Sequence, residues 1–263
     1  MGNEILDLKG RVGLVTGAGQ GVGRAAALHL AHSNAGAVVV NDFFLERAEA
    51  VASEVEKAGC KALAVQADVT SFESVTTMFD RAKRECGGVD IVVNNAGNWG
   101  AGPSAVSALP FWEQAPSAWD PFLNVNLFGV MHCVRAALPG MVEKKYGKIV
   151  NVISDAGRVG EPNLEAYSAA KAGAAGFTRA IAKSTGRFGI TANCVALAST
   201  RTPAVEAEMK NEQAVKAMLN RYVIRRVGEA EDAANMILFL ASDASSWITG
   251  QTYPVNGGYS FAM

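Results

Sequence analysis

Short aliphatic and β-branched runs alternate along the chain with longer stretches of helical length. Val12 to Thr16, Ala37 to Asn41, Ala62 to Gln66, Val89 to Val93, Lys148 to Ile153 and Thr191 to Ala196 read as strands. They are nearly continuous in Val, Ile, Leu and Ala, the composition of strands covered on both faces. Between them lie helical stretches at Gly23 to Ala31, Leu45 to Ala58, Ser71 to Glu85, Trp119 to Met141 and Glu165 to Thr185. A β-α-β-α order predicts a parallel sheet, here of about seven strands, with helices on both faces. No linker, composition shift or repeat divides the chain, so residues 1–263 read as one doubly wound α/β domain.

Two excursions interrupt this rhythm after strand ends, near 98–121 and 199–226. The first is rich in Trp and Pro and the second mixes charges with methionines. In open α/β sheets ligands bind beyond the carboxyl ends of the strands, so both segments are candidate substrate loops. Twenty-four Lys and Arg against 25 Asp and Glu leave a net charge of −1, which offers no basic face to nucleic acid or an anionic membrane. Cys60, Cys86, Cys133 and Cys194 are widely spaced, which suggests neither a disulfide framework nor a zinc cluster and favours a reducing setting. With no secretory pattern in the opening residues and no run of about 18 apolar residues, a soluble cytoplasmic protein is expected.

Glycine is in excess, 27 of 263 residues against about 7% on average, and its placement is informative. The first strand runs into Thr16-Gly17-Ala18-Gly19-Gln20-Gly21-Val22-Gly23 and then a helix. Glycine lets the backbone turn tightly and approach a ligand closely, while a helix N-terminus favours a pyrophosphate. Gly17, Gly19, Gln20, Gly21, Val22 and Gly23 are therefore candidate nucleotide contacts. Asp42 closes the second strand 21 residues after Gly21, where a carboxylate can accept from a ribose hydroxyl and would repel a 2′-phosphate. This predicts NAD, with NADP disfavoured. Asp42 also suits a helix-capping role, and Asp68, beside Val69, suits either an adenine edge or a turn.

Further along stand Asn94-Asn95-Ala96-Gly97, Ser154, and Tyr167-Ser168-Ala169-Ala170-Lys171, followed by Ile248-Thr249-Gly250-Gln251 and Val255-Asn256-Gly257-Gly258. With the glycine turn, this ordered set resembles the signature of the short-chain dehydrogenase/reductase family. The resemblance implies a single-domain Rossmann fold, a nicotinamide cofactor, catalysis by Ser154, Tyr167 and Lys171, and a homotetramer. It also implies that Asn126 is tied to a proton-relay water beside the lysine, that Asn95, Ala96 and Gly97 border the cofactor, and that Lys171 grips the nicotinamide ribose. One departure stands out: Ala196-Leu197-Ala198-Ser199 replaces the family's usual Pro-Gly after the sixth strand, although Thr202 matches the residue that meets the carboxamide.

Residue chemistry supports the same assignment. Tyr167 and Lys171 lie four apart, so both project from one helix face. A phenol titrates near 10, and an adjacent ammonium together with a cationic nicotinamide would lower it enough for proton exchange. Ser154, 13 residues before the tyrosine, can hold the substrate oxygen. No metal is expected. The predicted activity is oxidation of a secondary alcohol or reduction of its ketone. The stretch Ile153 to Gly160 resembles members acting on 3-oxoacyl or hydroxyacyl thioesters and cyclic hydroxyacyl-CoA compounds; steroids, cyclic alcohols and sugars are alternatives. An S-adenosylmethionine methyltransferase would suit the glycine turn but leaves the Ser-Tyr-Lys set idle, and a non-catalytic NAD sensor tends to lose the tyrosine or lysine.

Overall fold

The computed structural model describes residues 5–99, 109–206 and 210–261. Seven strands, β1 (Val12–Val15), β2 (Ala37–Asp42), β3 (Lys61–Gln66), β4 (Ile91–Asn94), β5 (Gly147–Ser154), β6 (Ile190–Leu197) and β7 (Thr252–Val255), form one sheet. Its order is β3-β2-β1-β4-β5-β6-β7, and every neighbouring pair is parallel. The six strand runs of the sequence match to within two residues at each end.

The helices are α1 (Gly21–His32), α2 (Leu45–Lys57), α3 (Phe72–Cys86), α4 (Asp120–Leu123), α5 (Gly129–Lys144), α6 (Ala156–Val159), α7 (Glu165–Thr185), α8 (Glu212–Leu219) and α9 (Ala230–Ala241). Helices α1, α2 and α9 cover one face of the sheet, and α3, α5 and α7 cover the other. Alternate strand residues feed the two cores: Val15, Val38, Val40 and Val93 enter the first, Leu14, Val39, Val92 and Ile149 the second. Each such side chain contributes about 1.5–3 kcal/mol on burial, which explains why β1, β2, β4, β5 and β6 have no polar face.

The edge strands behave differently. Lys61 and Gln66 of β3 are exposed while Leu63 and Val65 are buried, and β7 is half-buried throughout. The expectation of two covered faces thus fails in part for β3, where the helix layers leave the strand ends uncovered, while β7 lies outside the runs read as strands. The sequence 98–121 also has local structure, two 3₁₀ turns at Phe111–Glu113 and Pro116–Ala118, with Phe111 stacked on Trp119 at 5.1 Å. Residues 100–108 of that segment, including Gly100 and Pro103, lie outside the described residues, as do 1–4 and Met209.

Helices α4 and α5 are joined by a π-helical turn, Asn124–Phe128. The whole stretch Pro116–Lys144, with a mean hydropathy of 1.3 in its most apolar window, is long and apolar enough to cross a membrane by length and composition alone. This corrects the expectation that no such run exists. Part of its apolar surface is packed, since Val130, Cys133, Val134, Ala137 and Met141 are buried against the sheet, α3 and α7.

Candidate active site

All the predicted site residues except the distal part of the first loop fall at the carboxyl ends of the strands. The glycine turn leaves β1 and enters α1. Gly17 (φ 59°) and Gly21 (φ 53°) occupy the left-handed region that disfavours side chains, and a Cβ on Gly23 would stand 2.2 Å from the Gly17 carbonyl oxygen. Helix α1 begins with no acidic residue in its first turn, and Gln20 makes no side-chain capping bond. The first-turn amides, those of Gly21, Val22 and Gly23, thus point at the turn with no side-chain acceptor, a fit for an anionic pyrophosphate.

The turn is braced from both neighbouring strands. From β2, the buried Asp42 accepts from the Gly19 amide through Oδ2 at 3.0 Å and from the Phe44 amide through Oδ1 at 3.1 Å. From β4, Asn95 Nδ2 donates to the Thr16 and Gly17 carbonyls, both at 3.0 Å, while Thr16 Oγ1 accepts from the amides of Asn95 and Ala96 at 3.1 and 3.0 Å. Asn95 and Ala96 therefore shape the turn, and Thr16 is an organising residue that the sequence motif contained without revealing its role. Thr202, beyond β6, closes over the turn: its Cγ2 lies 2.9 Å from where a Cβ on Gly21 would stand. Asp68 Oδ1 accepts from the amide and hydroxyl of Thr70, both at 2.8 Å, so the turn role predicted as one option is present. Val69 packs on Gly129, and its carbonyl oxygen lies 2.9 Å from His132 Nδ1.

The departure from Pro-Gly after β6 has a structural replacement. The Ser199 amide donates to the Tyr222 hydroxyl at 3.0 Å, Ser199 O accepts from the Gly228 amide at 3.2 Å, and Thr200 pairs with Gly228. This geometry draws on residues more than twenty positions ahead, so no local pattern could have announced it.

Ser154 at the end of β5 meets Tyr167 and Lys171 from α7. Its Oγ accepts from the Ala156 amide at 3.2 Å and stands beside the Tyr167 phenol. Lys171 is 4% exposed, donates through Nζ to the Val152 carbonyl at 2.9 Å, and places Nζ 5.8 Å from the Tyr167 ring centre. Burial pushes the Lys171 ammonium down to about 8. Burial likewise raises the Tyr167 phenol, and the neighbouring Ser154 hydroxyl only partly opposes that rise. The expected lowering needs the lysine ammonium and a cationic nicotinamide together; with the side chains alone, desolvation sets the direction.

Asn126 is fully buried in the π turn. Its Nδ2 donates to the carbonyls of Asn98 (2.6 Å) and Phe122 (2.9 Å), and its Oδ1 accepts from the Asn98 amide at 3.2 Å. Gly97 lies in the gap between Asn126 and Lys171; a Cβ there would be 3.3 Å from Asn126 Oδ1 and 3.6 Å from Lys171 Nζ. The structure therefore brings Ser154, Tyr167, Lys171, Asn126 and Gly97 together beside the glycine turn. Among the described residues no three His, Cys, Asp or Glu side chains cluster as metal ligands would.

Comparison with known proteins agrees with this arrangement. Residues 17–260 match a family model described as enoyl-(acyl carrier protein) reductase. The chain is 40% identical over 97% of its length, and 98% of the relative's, to the (2S)-[(R)-hydroxy(phenyl)methyl]succinyl-CoA dehydrogenase subunit BbsD of Thauera aromatica. It is 42% identical to cis-4-hydroxycyclohexanecarboxylate dehydrogenase of Sinomonas cyclohexanicum over 95% of this chain and 96% of that one. It is 37% identical to 3-oxoacyl-[acyl-carrier-protein] reductase FabG of Staphylococcus aureus over 93% and 96% of the two chains. Among solved structures, 7α-hydroxysteroid dehydrogenase complexed with NADH and 7-oxo glycochenodeoxycholic acid superposes with a TM-score of 0.89 at 32% identity, covering 98% of this chain and 97% of that one. With a glycine turn, a strand-end serine and a Tyr-x-x-x-Lys helix meeting at one sheet edge, and relatives matched along nearly the whole length, the chain belongs to the short-chain dehydrogenase/reductase family of oxidoreductases.

Proposed function

We propose that the protein is an NAD(H)-dependent oxidoreductase interconverting a secondary alcohol and its ketone. The observation that carries this reading is the meeting of Ser154, Tyr167 and Lys171 beside an uncapped helix N-terminus. A bound nicotinamide supplies the hydride acceptor or donor. The Ser154 hydroxyl holds the substrate oxygen, and Tyr167 takes a proton from it during oxidation or returns one during reduction. Lys171, held by the Val152 carbonyl, stands where it can grip the ribose and favour the phenolate. Asn126 fixes the wall next to Lys171 through its bonds to Asn98. Asp42 supports NAD over NADP, because its carboxylate is fixed at the turn where a 2′-phosphate would add negative charge.

For the substrate, the relatives named for a hydroxyacyl-CoA compound and for a cyclic hydroxy acid share 40% and 42% of this sequence. They favour a hydroxyacyl or oxoacyl thioester, or a cyclic hydroxy acid, over a sugar; a steroid is the second reading, supported by the hydroxysteroid dehydrogenase fold. We further propose a cytoplasmic homotetramer; the four free cysteines suit a reducing compartment.

A screen of these substrate classes with NADH and NADPH tests the assignment. Turnover is expected with NADH in preference to NADPH, and Tyr167→Phe is expected to lower kcat by about a hundredfold or more with NADH affinity retained. A preference for NADPH refutes the role given to Asp42. Full activity in Tyr167→Phe refutes the acid/base assignment.

A further inference from the structure

Immediately after Ser154 stands Asp155, a carboxylate only 2% exposed that the proposed chemistry does not use. Its amide donates to the Leu197 carbonyl at 2.8 Å, tying the end of β5 to the end of β6. Both of its oxygens are engaged. Oδ1 accepts from Arg158 Nη1 at 2.5 Å, and Oδ2 accepts from Asn256 Nδ2 at 2.6 Å and from Ser260 Oγ at 3.0 Å. Arg158 continues the network, donating to Ser260 Oγ at 2.8 Å and to the Phe261 carbonyl at 3.1 Å. Asn256 in turn donates to the Ser260 carbonyl at 2.8 Å and accepts from the Gly258 amide at 3.0 Å, folding the tail back on itself.

A second set of contacts holds the same tail from the other side. Tyr259 donates to Glu161 Oε2 at 2.7 Å, and Arg221 bonds Tyr259 and pairs with Glu161 at 3.5 Å. The Ile224 amide donates to the Gly257 carbonyl at 2.8 Å. Three segments far apart in sequence, 155–161, 221–224 and 256–261, are thereby joined around the strand end that carries Ser154. Val159, Val223, Ile224 and Phe261, each more than half exposed, ride on these joined segments and give them an apolar lip.

We infer that Asp155 is a positioning residue: its buried clasp with Arg158, Asn256 and Ser260 fixes the C-terminal tail as a wall of the substrate site and fixes the strand end that carries Ser154. This rests on the oxidoreductase reading above. The physical reason is that a buried carboxylate demands every donor it has. Losing the tail would strand the carboxylate beside the residue that holds the substrate oxygen, so tail position and serine position are set by one network. The glycine turn, which leaves β1, and Asp42, which ends β2, are two and three strands away from β5 in the sheet and take no part in it.

Hydrogen–deuterium exchange and steady-state kinetics on the full-length protein test the inference together. In Asp155→Ala, exchange at the amides of Gly258 and Tyr259 is expected to quicken about tenfold or more, substrate KM to rise about ten- to a hundredfold, and NADH affinity to stay within about twofold. The exchange variant Asp155→Asn with Asn256→Asp keeps an acceptor for Arg158 and reverses the amide–carboxylate pair. It is expected to recover slow exchange and the lost KM in part, since an aspartate at 256 no longer donates to the Ser260 carbonyl. Ser260→Ala, a milder cut, should show the same pattern at smaller size and serves if Asp155→Ala does not fold. Unchanged exchange in these variants overturns the clasp, and quickened exchange with unaltered KM and kcat overturns its positioning role. A wild-type protein that binds NADH yet turns over none of the substrates counts against the oxidoreductase reading, while amide exchange still decides the clasp.

Discussion

Lys171 carries its ammonium into a site with almost no access to water, and the resulting shift to about 8 has a stability consequence. Between pH 8 and the ordinary lysine value of 10.5, the unfolded chain holds a proton that the folded chain has released. Stability attributable to this residue therefore rises with pH across that window and is flat below it. Urea midpoints of wild type and Lys171→Met, compared from pH 7 to 10.5, should show the wild type gaining on the variant above pH 8. Parallel profiles would contradict the burial argument. The grouping of Ser154, Tyr167 and Lys171 was legible in sequence, because the family resemblance marks all three and they lie within 17 residues, on a strand end and one helix face. Asp155 was not, because its partners Asn256 and Ser260 lie 101 and 105 positions away, and nothing local distinguishes a clasped carboxylate from a solvated one.

The π turn between α4 and α5 illustrates what periodicity alone misses. The sequence predicts one helix from Trp119 to Met141, and the chain is helical there, but at Asn124–Phe128 the ladder widens by one residue. Such turns cost regular hydrogen bonding and concentrate at functional sites. Here Asn126 binds the Asn98 backbone on both its amide and its carbonyl, fastening the segment after β4 to the helix. Asn126→Ala is expected to destabilise the fold by about 1–3 kcal/mol, since buried backbone groups lose their partner. Urea denaturation measures this, and a change below about 0.5 kcal/mol, the usual size for surface positions, would show that the turn stands without the asparagine. Helix α9 and strand β7 were likewise absent from the predicted elements: β7 is only four residues long, contains Pro254 and is half-buried, so it lacks the aliphatic run that marks the inner strands.

Taken whole, the molecule leaves several large apolar side chains uncovered. Phe72 and Phe128 are each 44% exposed and Trp247 is 98% exposed, surface better suited to subunit contact than to water. Light scattering at micromolar concentration should return about four chain masses if the proposed homotetramer forms, and a monomer would refute it. The strand order carries a further consequence. Because β1 is followed outward by β2 and β3 on one side and by β4 to β7 on the other, Asp42, proposed to choose the cofactor, and Ser154, proposed to hold the substrate, stand on separate flanks of one sheet. Specificity for each can then change without disturbing the other, as two dials on one instrument. Segments 154–161 and 219–261 from a relative, grafted together so that the clasp stays matched, should change which alcohol is accepted while leaving the preference between NADH and NADPH, proposed to rest on Asp42, unchanged.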